Sequence, residues 1–177
     1  MTTVNTSLLD AFNRHINAEF YSSYLYLSMS TYCDSIDLPG FAHWMRVQSE
    51  EEYTHAMKFI DYLEDRDSRV SLLPIEQPPI EFDSVEDVMR QTLAHEQHVT
   101  GLINDLYGAA TNAGDYATQI MLQWFVTEQI EEEKTARDVI AALEMVKGRS
   151  DALLLLDREM GARPAASPIA TDTATTA

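Results

Sequence analysis

The sequence has little of what would cross-link, export or embed it. One cysteine, Cys33, stands alone among 177 residues, which excludes an internal disulfide. Basic residues are scarce: 12 Lys and Arg face 29 Asp and Glu, giving a formal charge of −17 and a pI near 4.4. Phosphate backbones and anionic lipid surfaces repel such a chain, so neither nucleic acid nor membrane is an expected partner. Long apolar runs are missing as well. The longest, Ala152 to Leu156, falls far short of the roughly 20 residues of a membrane-spanning helix. Met1-Thr2-Thr3-Val4-Asn5 carries neither a basic leader nor an apolar stretch, and the expected location is cytoplasmic. What is present is an ordinary globular share of hydrophobic residues, 45%, and an excess of carboxylates that would attract hard cations.

Glycine and proline number only six each. Residues 5–36, 40–66, 84–112 and 115–147 contain neither, apart from Gly40, Gly101 and Gly108, and read as four long helices. Asp37-Leu38-Pro39 can start the second, Asp83-Ser84-Val85-Glu86 resembles a capping box for the third, and Gly114-Asp115 supplies a stop and a fresh cap. Between the second and third helices, Ser71 to Pro79 is punctuated by prolines, cannot be helical, and is long enough to cross a bundle. Residues 150–160 read as a short, apolar fifth helix. The expected architecture is all-α: a four-helix bundle with a long crossover between helices 2 and 3, plus a short C-terminal helix. One domain over 1–161 and a disordered Ala/Thr/Ser/Pro tail over 162–177 are expected.

Helical periodicity assigns each helix an inward stripe. The first runs Leu8, Phe12, Ile16, Glu19, Phe20, Ser23, Tyr26, Leu27, and the second Phe41, Trp44, Met45, Gln48, Glu52, His55, Phe59, Tyr62, Leu63. The third runs Val85, Val88, Met89, Thr92, Glu96, Val99, Ile103, Leu106; the fourth is Met121, Trp124, Phe125, Glu128, Glu132, Val139, Leu143, Val146, with Gln129 at its edge. Every stripe contains a carboxylate. An unpaired buried carboxylate costs several kcal/mol, and no Lys or Arg on the stripes stands beside Glu19, Glu52 or Glu96. Something positive belongs between them, and His55, one turn beyond Glu52, adds a nitrogen donor to the same face. Such an oxygen-rich donor set suits iron or manganese better than thiolate-seeking metals.

Four segments occur in a specific order: Asn17-Ala18-Glu19-Phe20-Tyr21-Ser22-Ser23-Tyr24-Leu25-Tyr26, Glu50-Glu51-Glu52-Tyr53-Thr54-His55, His95-Glu96-Gln97, and Gln123-Trp124-Phe125-Val126-Thr127-Glu128-Gln129-Ile130-Glu131-Glu132-Glu133. Through them the chain resembles the non-haem bacterial ferritins, within the ferritin-like di-iron superfamily, over residues 5 to 160. The fourth helix carries Gln129-Ile130-Glu131-Glu132 in place of a second Glu-x-x-His pair, unlike bacterioferritins, and the intrachain ligand set is unlike the small Dps cages.

The resemblance implies a ferroxidase centre in which Glu19 and His55 bind one iron, Glu52 bridges, and Glu96 and Glu132 bind the second beside Gln129. Tyr26 matches the tyrosine that ferritins keep next to the di-iron site, and Glu51, Glu128 and Glu131 match a third iron site. It further implies oxidation of Fe(II) by dioxygen, storage of Fe(III) as a ferric oxyhydroxide mineral, a 24-subunit homo-oligomeric cage, and no haem. Gln119 and Leu122 stand where other ferritins line three-fold channels with acids, so an acidic entry channel is not expected. Asp65 and Asp138, on flanks shared with Glu51 and Glu131, suggest a carboxylate trail toward a mineral surface, with Asp61 and Glu64 as further groups. A rubrerythrin-type oxidase would need cysteine pairs that the sequence lacks.

Overall fold

The structure, a computed structural model, describes residues 3–165. Its elements are α1 (Thr6–Ser35), α2 (Pro39–Asp65), α3 (Val85–Asn112), α4 (Tyr116–Val146) and α5 (Ser150–Met160), with no strand among the described residues. The four long helices and the short fifth fall where glycine and proline punctuation placed them. Of the expected tail, residues 166–177 lie outside the described residues.

Local chemistry starts most of the helices. Asn5 accepts a hydrogen bond from the Leu8 amide at 2.9 Å, Ser84 from that of Asp87 at 3.1 Å, and Asp115 from that of Thr118 at 3.1 Å. The third cap differs by one position from its expected form. With Ser84 as the cap, the reciprocal acid is Asp87, which accepts from the Asp83 amide at 3.2 Å, while Glu86 pairs with Arg90 and Lys147. Helix α2 has no capping side chain of its own at Leu38. Instead Asp157 of α5, 3% exposed, reaches across to accept the Phe41 amide at 3.0 Å. This approach requires Gly40, because a β-carbon there would lie 1.7 Å from the Asp157 carbonyl oxygen.

Two apolar clusters fill the bundle, and their membership gives the helix directions. One unites Phe12 and Ile16 early in α1 with Phe59 and Leu63 late in α2, Ile103 and Leu106 late in α3, and Leu122 and Phe125 early in α4. The other unites Met29 and Cys33, Phe41 and Met45, Val88 and Met89, Ile140 and Leu143, and Met160 of α5. Helices α1 and α4 therefore run one way and α2 and α3 the other. Two parallel neighbours in sequence need a connection spanning the bundle. Residues 66–84 supply it as a strap along α1: Ser71 N donates to Asn13 Oδ1 at 2.9 Å, Asn17 Nδ2 to the Leu73 and Pro74 carbonyls at 3.2 and 3.1 Å, and Ser28 Oγ to the Pro79 carbonyl at 2.6 Å.

The expected stripes hold for α2 and α3, with Tyr62 only half-buried, and shift on α4. There the buried positions are Thr118, Leu122, Phe125, Gln129, Glu132, Ala136, Ile140 and Leu143, in steps of four and three like the seam of a bundle. Trp124 is 40% exposed and Glu128 half-buried, so both belong to a flank, while Gln129 points fully inward. Phe20, Ser23 and Leu27 of α1 are likewise only half-buried. Trp124 reads as core from its size, yet its ring serves as a platform for Lys58 Nζ, 3.3 Å from the centroid.

Gly40→Ala is expected to release α5 from α2. Hydrogen exchange would then show α5 amides and the Phe41 amide losing protection while mid-helix α1 and α3 amides keep theirs; unchanged protection of α5 would refute this coupling.

Candidate metal centre

Between the two apolar clusters lies a polar layer at mid-helix height. Glu19 comes from α1, Glu52 and His55 from α2, Glu96 from α3, and Gln129 and Glu132 from α4, each less than 10% exposed. Spacing explains the convergence, since Glu52 and His55, like Gln129 and Glu132, stand three positions apart, putting each pair on one helical face. Ligand atoms of Glu19, Glu52 and His55 all lie within 4.8 Å of one another. His55 Nδ1 stands 3.3 Å from Glu52 Oε2.

Glu96 and Glu132 complete the layer through hydrogen bonds. The Tyr26 hydroxyl donates to Glu96 Oε1, and Gln129 Nε2 donates to Glu96 Oε2 at 3.1 Å and to the Glu96 carbonyl at 3.2 Å. Gln48 Nε2 donates to Glu132 Oε2 at 2.7 Å and, more weakly, to Glu52 Oε1 at 3.3 Å. Tyr26 is thus tied to a site carboxylate, and its own ionisation is pushed well up by burial and by Glu96 and Glu52.

The charges do not balance without a guest. Burial drives the Glu52 carboxyl well above its usual range, with Glu96 and Glu19 adding repulsion that His55 only partly offsets. Burial and the nearby Glu132 raise Glu96 to about 7, and burial raises Glu132. His55 moves to about 10, since Glu52, Glu19 and Glu132 outweigh the burial that would lower it. Glu19 alone lies below its usual range, because His15 and His55 outweigh its burial. Even so, both Glu19 carboxylate oxygens and both His15 ring nitrogens lack a hydrogen bond, and they are the buried side-chain polar atoms left so among the described residues. Orphaned oxygens beside a nitrogen donor and further carboxylates fit a hard cation.

Sequence reasoning missed three participants. His15, 3% exposed, places Nε2 2.8 Å from Glu19 Oε1, off the line of a hydrogen bond, and packs edge-on to Phe59. Its signal was the four-residue spacing to Glu19. Gln48, placed on the α2 stripe as packing, is the donor to Glu132. Arg163, assigned by composition to the tail, lies against α2 and pairs with Glu51.

The three residues expected at a third site are not gathered equally. Glu51 is half-buried, Glu128 is half-buried and near enough to Glu51 to raise its carboxyl, and Glu131 is exposed. Asp65 and Asp138 are exposed, the latter paired with Lys134.

The ferritin-like domain model matches residues 9–146. A bacterial non-heme ferritin from Staphylococcus saprophyticus is 37% identical over 160 residues, covering 90% of this chain and 96% of that protein. The chain belongs to the ferritin family. Among solved structures, the open pore ferritin of the hyperthermophilic archaeon Archaeoglobus fulgidus is 45% identical at a TM-score of 0.90, covering 92% of this chain and 100% of that one. A closed form of the same archaeal ferritin, engineered by site-directed mutagenesis, superposes at 0.91. The ferritin family binds iron, and Glu19, Glu52 and His55 of the central layer form a group that could hold a metal ion.

Two outcomes follow from the electrostatics. Groups held protonated by burial must lose protons to a metal, so Zn(II) binding to the metal-free protein should release more protons at pH 6 than at pH 8, as Glu96 titrates near 7. Its apparent affinity should rise steeply with pH through about 7 and more gently toward about 10, where His55 loses its own proton. Calorimetry in buffers of different ionisation heat measures this, and equal release at both pH values would contradict it. His15→Leu should weaken the tightest Zn(II) binding by roughly 10- to 100-fold, as loss of an outer-sphere partner does, with equilibrium dialysis as the check.

Proposed function

We propose that this ferritin oxidises Fe(II) with dioxygen at an intrasubunit pair of iron sites and stores Fe(III) as a ferric oxyhydroxide mineral inside a 24-subunit cage. The observation that carries the reading is the mid-bundle carboxylate layer, in which the Glu19 oxygens lack a hydrogen bond and one ligand atom each of Glu19, Glu52 and His55 lie within 4.8 Å of one another. Glu19 and His55 hold the first iron, Glu52 bridges, and Glu96 and Glu132 hold the second. Carboxylates serve as one- or two-oxygen ligands, so the site accepts Fe(II) with open positions and then favours the harder Fe(III).

The surrounding residues keep that layer in order. Tyr26 and Gln129 each donate to one Glu96 oxygen and so fix the plane of its carboxylate, and Gln48 holds Glu132, so these side chains need little rearrangement when iron arrives. The two Fe(II) give one electron each to one dioxygen, which with two protons leaves as hydrogen peroxide, and hydrolysis of the Fe(III) to oxyhydroxide releases protons. Iron supplies the electrons, so the reaction needs no organic cofactor. On this reading Leu154 and Leu155 of α5, 51% and 65% exposed in the single chain, are covered by neighbouring subunits. No described helix is long and apolar enough to cross a membrane.

Glu52→Ala tests the reading directly. Stopped-flow oxidation of anaerobically loaded Fe(II) should lose its rapid phase while sizing still reports the assembled cage. Persistence of the rapid phase, or a wild-type particle of monomer mass, would overturn the proposal.

A further inference from the structure

The segment after α5 closes back onto the metal-bearing helix. Arg163 sits on a ridge of α2 formed by Trp44, Gln48 and Glu51, residues four and three apart on one face. Its guanidinium carbon lies 4.5 Å from the Trp44 ring centroid, Nη1 donates to Gln48 Oε1 at 2.7 Å, and Nη2 donates to Glu51 Oε2. The Arg163 carbonyl also bonds His43 Nε2 at 2.9 Å. Its side chain is only 21% exposed, and the contacts come from π-face, amide and carboxylate at once. A solvent-mobile surface arginine has no such socket.

Glu51 follows directly from the ridge and precedes the bridging Glu52, and Glu128 bears on it from α4. Two half-buried carboxylates from facing helices, next to a buried metal layer, would draw in a further cation. Here the chain supplies one itself. The same guanidinium occupies the oxygen of Gln48, whose nitrogen is thereby turned toward Glu132 and Glu52.

We propose that Arg163 sets the metal stoichiometry of the centre, its guanidinium taking the cation place beside Glu51 that a third metal ion would otherwise fill. This rests on the two-iron reading above and replaces the third site that family resemblance implies for Glu51, Glu128 and Glu131. The guanidinium on Glu51 Oε2 sets a fixed positive charge where a divalent cation would have to sit, and the arginine is tethered by the chain, so it competes at high effective concentration.

The test counts ions on assembled, metal-free cages. Zn(II) serves as a redox-inert probe and Fe(II) is added anaerobically, both in excess Mg(II) to mask surface carboxylates, with equilibrium dialysis and calorimetry as readouts. Wild type should bind two ions tightly per subunit, and Arg163→Gln should gain one more, which Arg163→Gln combined with Glu51→Gln removes. Arg163→Lys, retaining the charge, should stay at two. Glu51→Gln alone should also leave two, a result that does not depend on whether the Arg163→Gln cage assembles. No gain in Arg163→Gln, three ions in wild type, or loss of an ion in Glu51→Gln would each overturn the assignment of Arg163. Failure of wild type to bind two ions would instead overturn the two-iron reading itself.

Discussion

Burial of like charge governs this molecule. Glu19, Glu52, Glu96 and Glu132 meet inside a bundle where each ionised carboxylate costs several kcal/mol, and repulsion among them adds to the cost. The protein responds in three ways: burial raises the Glu52 and Glu96 carboxyls above their usual range, histidines stand beside Glu19 and Glu52, and amide and phenol donors are spent on Glu96 and Glu132. None of these reaches the Glu19 oxygens with a hydrogen bond. The deficit is the driving force for cation capture, held in reserve by the two apolar clusters that flank the layer and keep the helices from splaying.

That division of labour explains where variation is tolerable. The clusters around Phe12, Phe59 and Phe125 at one end, and Met29, Met45 and Met89 at the other, hold the bundle by apolar burial alone. The middle layer is free to be unfavourable. In a uniformly apolar bundle the site would be absent, and in a uniformly polar one the helices would have no reason to meet.

The fold was readable because its determinants are local and periodic. Scarce glycine and proline marked the helix limits, and a 100° phase put Glu19, Glu52, His55 and Glu96 on inward faces before any contact was known. On α4 the phase was misjudged. Trp124 weighs heavily in any apolar stripe, yet at this position its ring lies along a groove under Lys58, and the true seam passes through Leu122, Gln129 and Ala136. His15 was legible in its four-residue spacing to Glu19; Gln48 and Arg163 were harder for another reason, since their partners are defined by side-chain direction or by chain return over more than a hundred residues, which periodicity does not encode. Cap chemistry showed the same limit, since α2 borrows Asp157 from another helix.

The strap between α2 and α3 is held in an unusual manner. Asn13, Asn17 and Ser28 of α1 grip its amide and carbonyl groups, while Leu72, Ile75 and Ile80 of the strap turn outward. The path of the chain is thereby uncoupled from the identity of most residues along it. Evolution, or an engineer, can rewrite the outer face of this segment to suit a neighbouring subunit or a new ligand without reversing the direction of α3, and hence without moving Glu96 away from the metal layer.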